Sequence, residues 1–116
     1  MVKNITNLSE FAACLGNVET GLVVIDFFTD WCGPCKRIAP GYLALAEKYP
    51  LVSFCKLNAT NVDTQPEIAQ IMNACQIGSF PTFCFFKGGK YLDKLIGADL
   101  GKLEQLVLQY NSLTNN

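Results

Sequence analysis

Leu22-Val23-Val24-Ile25-Asp26-Phe27-Phe28, followed by Thr29-Asp30-Trp31-Cys32-Gly33-Pro34-Cys35, decides the reading of this chain. The first seven residues are a nearly continuous apolar run, the pattern of a central parallel strand covered on both faces. Cys32 and Cys35 then open a helical stretch predicted to reach about Tyr49. Two thiols three residues apart at a helix start lie within disulfide range without unwinding the helix. They can form and break a bond with little backbone motion, so the stretch points to redox chemistry.

Upstream, Asn7 and Glu10 read as a capping pair for a first helix, with Leu8, Phe11, Ala12 and Leu15 on one stripe. Val2 to Ile5 is a candidate first strand, and Gly16 to Gly21 a break. Downstream, the second helix carries Ile38, Leu43, Leu45 and Ala46 among its apolar positions. Pro40 inside it removes a backbone donor and predicts a kink. Leu51 to Leu57 reads as a third strand. Thr64, Pro66 and Glu67 mark another helix start, with Ile68, Ile71, Met72 and Cys75 at helical spacing. Thr82 to Phe86 is a strand, Gly88-Gly89 turns it into a second strand around Tyr91 to Ile96, and Gly97 ends that strand. Leu100, Leu103, Leu106, Val107 and Tyr110 form a closing helix. The order β-α-β-α-β-α-β-β-α predicts an α/β protein of three layers, α/β/α, with a central mixed five-stranded sheet and four helices. With 116 residues and no repeat, linker or low-complexity segment, positions 1–116 read as one domain.

Half of the residues are apolar, which argues against disorder. The formal charge is −1 with no basic run, so neither nucleic acid nor a membrane surface is an expected partner. No apolar stretch approaches a membrane span. The first residues, Met1 to Asn7, lack the apolar core of a secretory signal, which predicts a cytoplasmic protein. In that setting the two Asn-x-Thr sequons, at Asn4 and Asn58, carry no glycan. Six cysteines suggest neither a disulfide framework, which so apolar a chain does not need, nor zinc. There is one Cys-x-x-Cys, no histidine, and no ribbon spacing among Cys14, Cys55, Cys75 and Cys84, so no metal is expected.

Attack on a disulfide needs a thiolate. Cys32 sits where unpaired N–H groups and the positive end of the helix dipole favour the anion, so it is the expected attacking sulfur. Cys35, one turn further in, is placed to resolve the mixed disulfide. Gly33 and Pro34 keep the loop compact, and proline is tolerated in a first helical turn. Asp26 within an apolar strand costs free energy unless paired or protonated. Burial raises its pKa and makes it a proton acceptor near neutral pH, or else it is a structural strand-end residue. Trp31, Phe80, Gly97 and Ala98 are candidates for an apolar docking surface; for Trp31 a packing role is the alternative. Cys84, Cys55 and Cys14 read as core filler. Cys75 shares a core stripe, yet its place before the Gly78 to Pro81 loop leaves a regulatory or dimer-forming role open.

Asp26, Trp31-Cys32-Gly33-Pro34-Cys35-Lys36, Pro40, Lys56, Phe80-Pro81-Thr82, Gly88-Gly89 and Gly97, in this order, resemble the thioredoxin family across nearly the whole chain. The resemblance implies the thioredoxin fold. It also implies a protein disulfide reductant that draws electrons from thioredoxin reductase, and so indirectly from NADPH. No cofactor is bound, since a Cys32–Cys35 disulfide carries the electrons. Implied substrates are peroxiredoxins, methionine sulfoxide reductases and ribonucleotide reductase, met by a monomer. The resemblance places Asp26 beneath Cys35, with Lys56 nearby moderating its charge. It makes Phe80–Pro81 a cis peptide whose Phe80 backbone pairs with extended substrate. Phe28, Thr29, Asp30 and Phe80 depart from the usual residues, and the stretch from Lys56 to Pro81 is longer than in compact members. A binding module on the same fold, or an oxidase or isomerase of an export pathway, are the rival readings.

Overall fold

A computed structural model describes residues 1–16 and 21–112. In chain order the elements are β1 (Val2–Asn4), α1 (Leu8–Leu15), β2 (Leu22–Phe28), α2 (Gly33–Lys48), β3 (Ser53–Asn58), α3 (Pro66–Ala74), β4 (Thr82–Lys87), β5 (Lys90–Ile96) and α4 (Leu100–Asn111). This is the predicted order, with one addition: a single 3-10 turn, Val62–Thr64, leads into α3. Of the predicted Gly16–Gly21 break, positions 17–20 lie outside the described residues.

The strands form one sheet in the order β1-β3-β2-β4-β5. β3 runs parallel to both β1 and β2, whereas β4 is antiparallel to β2 and to β5. β2 is central and buried along almost its whole length, which explains its near-absence of polar alternation. Its side chains divide between two cores. Val23, Ile25 and Phe27 pack with Cys14 of α1 and Ile68 and Ile71 of α3. Leu22 and Val24 pack with Ile38, Tyr42 and Leu45 of α2 and Leu103 and Val107 of α4. The molecule therefore has the three-layer thioredoxin fold, with α1 and α3 on one face of a five-stranded mixed sheet and α2 and α4 on the other.

Local chemistry accounts for the helix starts. Asn7 caps α1, its side-chain oxygen accepting from Glu10 N–H at 2.8 Å. Asp99 does the same for α4, accepting from Lys102 N–H at 3.0 Å. The inward faces differ from the predicted stripes in two helices. In α1 the buried residue is Cys14, while Ala12 is exposed. In α2, Leu43 is 50 % exposed and Tyr42 lies inward instead. Tyr42 holds the inner place because its hydroxyl donates to the Cys55 carbonyl at 2.7 Å, with the Val24 carbonyl at 3.1 Å. β3 begins at Ser53 rather than Leu51, which is exposed, and α2 continues through Pro40 as one helix to Lys48.

Candidate active site

β2 ends at Phe28, and the chain turns through Thr29–Trp31 before α2 begins. Cys32 is the N-cap of α2, with extended backbone, and Gly33 and Pro34 occupy its first two positions. This is where proline costs the helix no hydrogen bond. Cys32 and Cys35 are joined in a disulfide, with their alpha carbons 5.2 Å apart. The Cys35 N–H donates to Cys32 Sγ at 3.2 Å. A backbone donor at a helix N-terminus is a group that favours negative charge on an atom it faces. Cys32 is partly exposed, while Cys35 is buried. Trp31 is 74 % exposed and packs against no core.

Asp26 lies on the α2 face of β2, buried at 5 % exposure. Burial pushes its carboxyl up to about 7, and the neighbouring Lys56 ammonium only partly opposes this. Lys56 stands beside it because β2 and β3 are in register at Asp26 and Lys56. Asp26 Oδ1 has no hydrogen-bond partner among the described residues. Asp26, Lys56 and Cys35 all border one cavity of about 540 Å³, walled by Val2, Phe28, Ala39 and Leu43. The arrangement can form and open a disulfide and offers a base near the inner sulfur.

Phe80–Pro81 is a cis peptide at the entry to β4. The Pro81 carbonyl accepts from Gly97 N–H at 2.9 Å, and Ser79 O accepts from the Thr82 hydroxyl at 2.8 Å. Gly97 has φ +104°, a conformation that favours glycine, and so turns the chain sharply from β5 toward α4. Phe80 is half-buried against the α3 core, and Ala98 is exposed. Ile96, 65 % exposed and paired with Thr82, extends this apolar edge. Sequence reasoning placed it inside a strand and did not single it out. It also passed over Asn58 and Thr60. Asn58 Nδ2 donates to Asp30 Oδ1 at 2.8 Å, and Asp30 N–H donates to Thr60 Oγ1 at 2.7 Å. The sequence offers no signal for them, since polar residues are ordinary after a strand.

The other four cysteines are free and buried on the opposite face of the sheet. Cys14 neighbours Cys55, and Cys75 neighbours Cys84, in that core. Within each pair the neighbouring sulfur and burial raise one thiol, Cys55 or Cys75. Cys75 caps the C-terminus of α3 at 3 % exposure, a placement that favours packing over surface cross-linking. Among the described residues, no group of three or more histidine, cysteine or acidic side chains is placed to hold a metal ion. None of the described helices is long and apolar enough to cross a membrane.

A cysteine pair closing as a disulfide across the first turn of a helix, on this fold, defines a thiol-disulfide oxidoreductase. Residues 2–109 match the family model for thioredoxin, and the chain belongs to the thioredoxin family. It is 53 % identical over 108 residues to a thioredoxin-like protein of Acanthamoeba polyphaga mimivirus, covering 93 % of this chain and 76 % of that protein. The solution structure of oxidised thioredoxin from Plasmodium falciparum superposes with a TM-score of 0.80 at 38 % identity, covering 97 % of this chain and 100 % of the other. A structure solved for the thiol resolving mechanism in yeast mitochondrial 1-Cys peroxiredoxin via glutathione/thioredoxin systems matches at 32 % identity and a TM-score of 0.78, covering 93 % of this chain and 94 % of that one.

Proposed function

We propose that this oxidoreductase works as a general protein disulfide reductant in the cytosol, recharged by thioredoxin reductase and so indirectly by NADPH. The observation that carries the reading is the pairing of a partly exposed Cys32 at a helix N-cap with a buried Cys35 that shares a cavity with Asp26. In the cycle, the reductase delivers two electrons and two protons to the Cys32–Cys35 disulfide. Cys32 thiolate then attacks one sulfur of a substrate disulfide and expels the other as a thiolate. Asp26 takes the proton of Cys35 directly or through water, and Lys56 tempers the charge that results. Cys35 thiolate attacks Cys32, releasing the second substrate sulfur and restoring the disulfide. Two electrons pass to the substrate in each turn.

Substrate chain lies along Trp31, Gly33, Pro34, Phe80, Pro81, Gly97 and Ala98. Among the described residues, no backbone group donates to the Phe80 carbonyl, which supports its use as a partner for an extended segment. Peroxiredoxins, methionine sulfoxide reductases and ribonucleotide reductase are the proposed substrate classes; the yeast relative studied with a peroxiredoxin supports the first. The unit acts as a single-domain monomer, with electrons carried by the sulfurs alone.

Cys35→Ser protein tests this directly. Mixed disulfides at Cys32 then persist, and mass spectrometry of the trapped adducts names the substrates. Purified parent protein is expected to reduce insulin when supplied with dithiothreitol, and Cys32→Ser to abolish that turnover. Turnover that survives Cys32→Ser overturns the reading.

A further inference from the structure

The segment that delivers the reacting sulfur, Thr29–Cys32, belongs to neither β2 nor α2. Trp31 within it is 74 % exposed, so the place from which its ring projects is set by the backbone of this segment rather than by packing. That backbone is tied to the stretch following β3. Ala59 N–H donates to the Phe28 carbonyl at 2.8 Å, and Asp30 N–H donates to Thr60 Oγ1 at 2.7 Å. Asn58 Nδ2 donates to Asp30 Oδ1 at 2.8 Å, while Asn58 Oδ1 accepts from Thr60 N–H at 3.0 Å. The last bond fixes the amide: its oxygen is engaged by Thr60, so its nitrogen faces Asp30. Three side chains thus close a brace between the loop after β2 and the end of β3, and two of them come from residues far along the chain from the dithiol.

We propose that Asn58 and Thr60 are positioning residues that hold Trp31 and Cys32 in the geometry that protein disulfides require. The role rests on Cys32 being the attacking sulfur. It is selective by class of substrate. A small disulfide needs only the sulfur, whereas a folded or extended protein must also meet the indole beside it. The bonds of the brace are exposed to solvent, so water replaces them when they are cut and global stability changes little. Their loss is felt in the loop.

Thr60→Val keeps the shape of the side chain and removes its acceptor; Thr60→Ser keeps the acceptor; Asn58→Ala removes both amide contacts. Each is compared with the parent on insulin and on a small aromatic disulfide reagent. For insulin, kcat/KM should fall about five-fold in Thr60→Val and Asn58→Ala, the factor one hydrogen bond is worth, and mainly through KM. The rate with the small reagent should stay within about two-fold, well under that hydrogen-bond factor. Trp31 is the sole tryptophan, so acrylamide quenching of its fluorescence reads the loop directly and should rise in the same two variants. Thr60→Ser should return every readout to the parent value. Equal rates on insulin for Thr60→Val and parent overturn the proposal, as does an equal loss on both substrates. Failure of Cys32 as nucleophile looks different, because Cys32→Ser would then still reduce both.

Discussion

Asp26 is a costly side chain to bury, and the cost has a definite pH dependence. Its carboxyl titrates at about 7 when folded against an ordinary value of 3.8, because burial disfavours the charged form and Lys56 only partly compensates. Between those values the native state binds the extra proton. The contribution of Asp26 to stability is therefore most favourable below about pH 4, declines as pH rises toward 7, and stays at its least favourable above. Asp26→Asn escapes the penalty. Oxidised Asp26→Asn should be more stable than the parent at pH 8 by about 4 kcal/mol, the equivalent of a three-unit shift, and the gap should close toward pH 4. Urea unfolding at the two pH values measures it; a gap unchanged with pH would place the carboxyl in water. The same substitution should slow resolution of a trapped mixed disulfide more than its formation, as read by single-turnover quench with a chromogenic disulfide. At this scale the sequence was legible wherever a residue type broke its surroundings. Asp26 interrupts an apolar run, and Cys32 opens a helix. Asn58 and Thr60 break nothing locally, since polar residues are ordinary after a strand. Their partner Asp30 lies 28 and 30 positions away.

At the scale of elements, α2 is anchored by one hydroxyl as well as by apolar packing. Tyr42 is 3 % exposed, contacts the rings of Phe54 and Phe83, and reaches past them to the Cys55 carbonyl. Tyr42→Phe keeps the rings and removes that bond. It should lower stability by about 1 to 2 kcal/mol, with the denaturant midpoint shifted at unchanged slope. The helix would remain, since Ile38, Leu45 and Ala46 still face the sheet. The periodicity of α2 could not reveal this. Leu43 and Tyr42 are adjacent, and on hydrophobicity alone leucine is the better core residue. What decides is a buried carbonyl within reach of a phenol, a fact of β3 rather than of the helix. The same logic explains α1, where Cys14 takes the inward place because a facing thiol, Cys55, meets it from β3. The strands and their order along the chain, by contrast, were legible, because β-branched and aromatic runs between glycine turns leave few other readings. The 3-10 turn Val62–Thr64 was not, since three residues carry no period.

For the molecule as a whole, the sheet is a wall between two kinds of sulfur. Asp26 and Cys35 lie on the side of α2, while Cys14, Cys55, Cys75 and Cys84 lie in the core beneath α1 and α3. β2 alternates its side chains between the two, so a thiol on one face meets the other only if the sheet opens. All four are at most 6 % exposed, out of reach of a bulky disulfide while the fold is closed. Disulfide exchange at the dithiol is thereby kept from scrambling into the core. The consequence is countable. In fully reduced native protein, a chromogenic disulfide reagent should release two equivalents of chromophore promptly, one on attack by Cys32 and one as buried Cys35 closes the Cys32–Cys35 disulfide. The remaining four of the six cysteines should appear only when guanidinium unfolds the chain, at a rate that follows global opening. Prompt labelling of a third thiol in native protein, located by peptide mass, would show that the face beneath α1 and α3 opens locally. Cys75, at the end of α3, would be the first place to look.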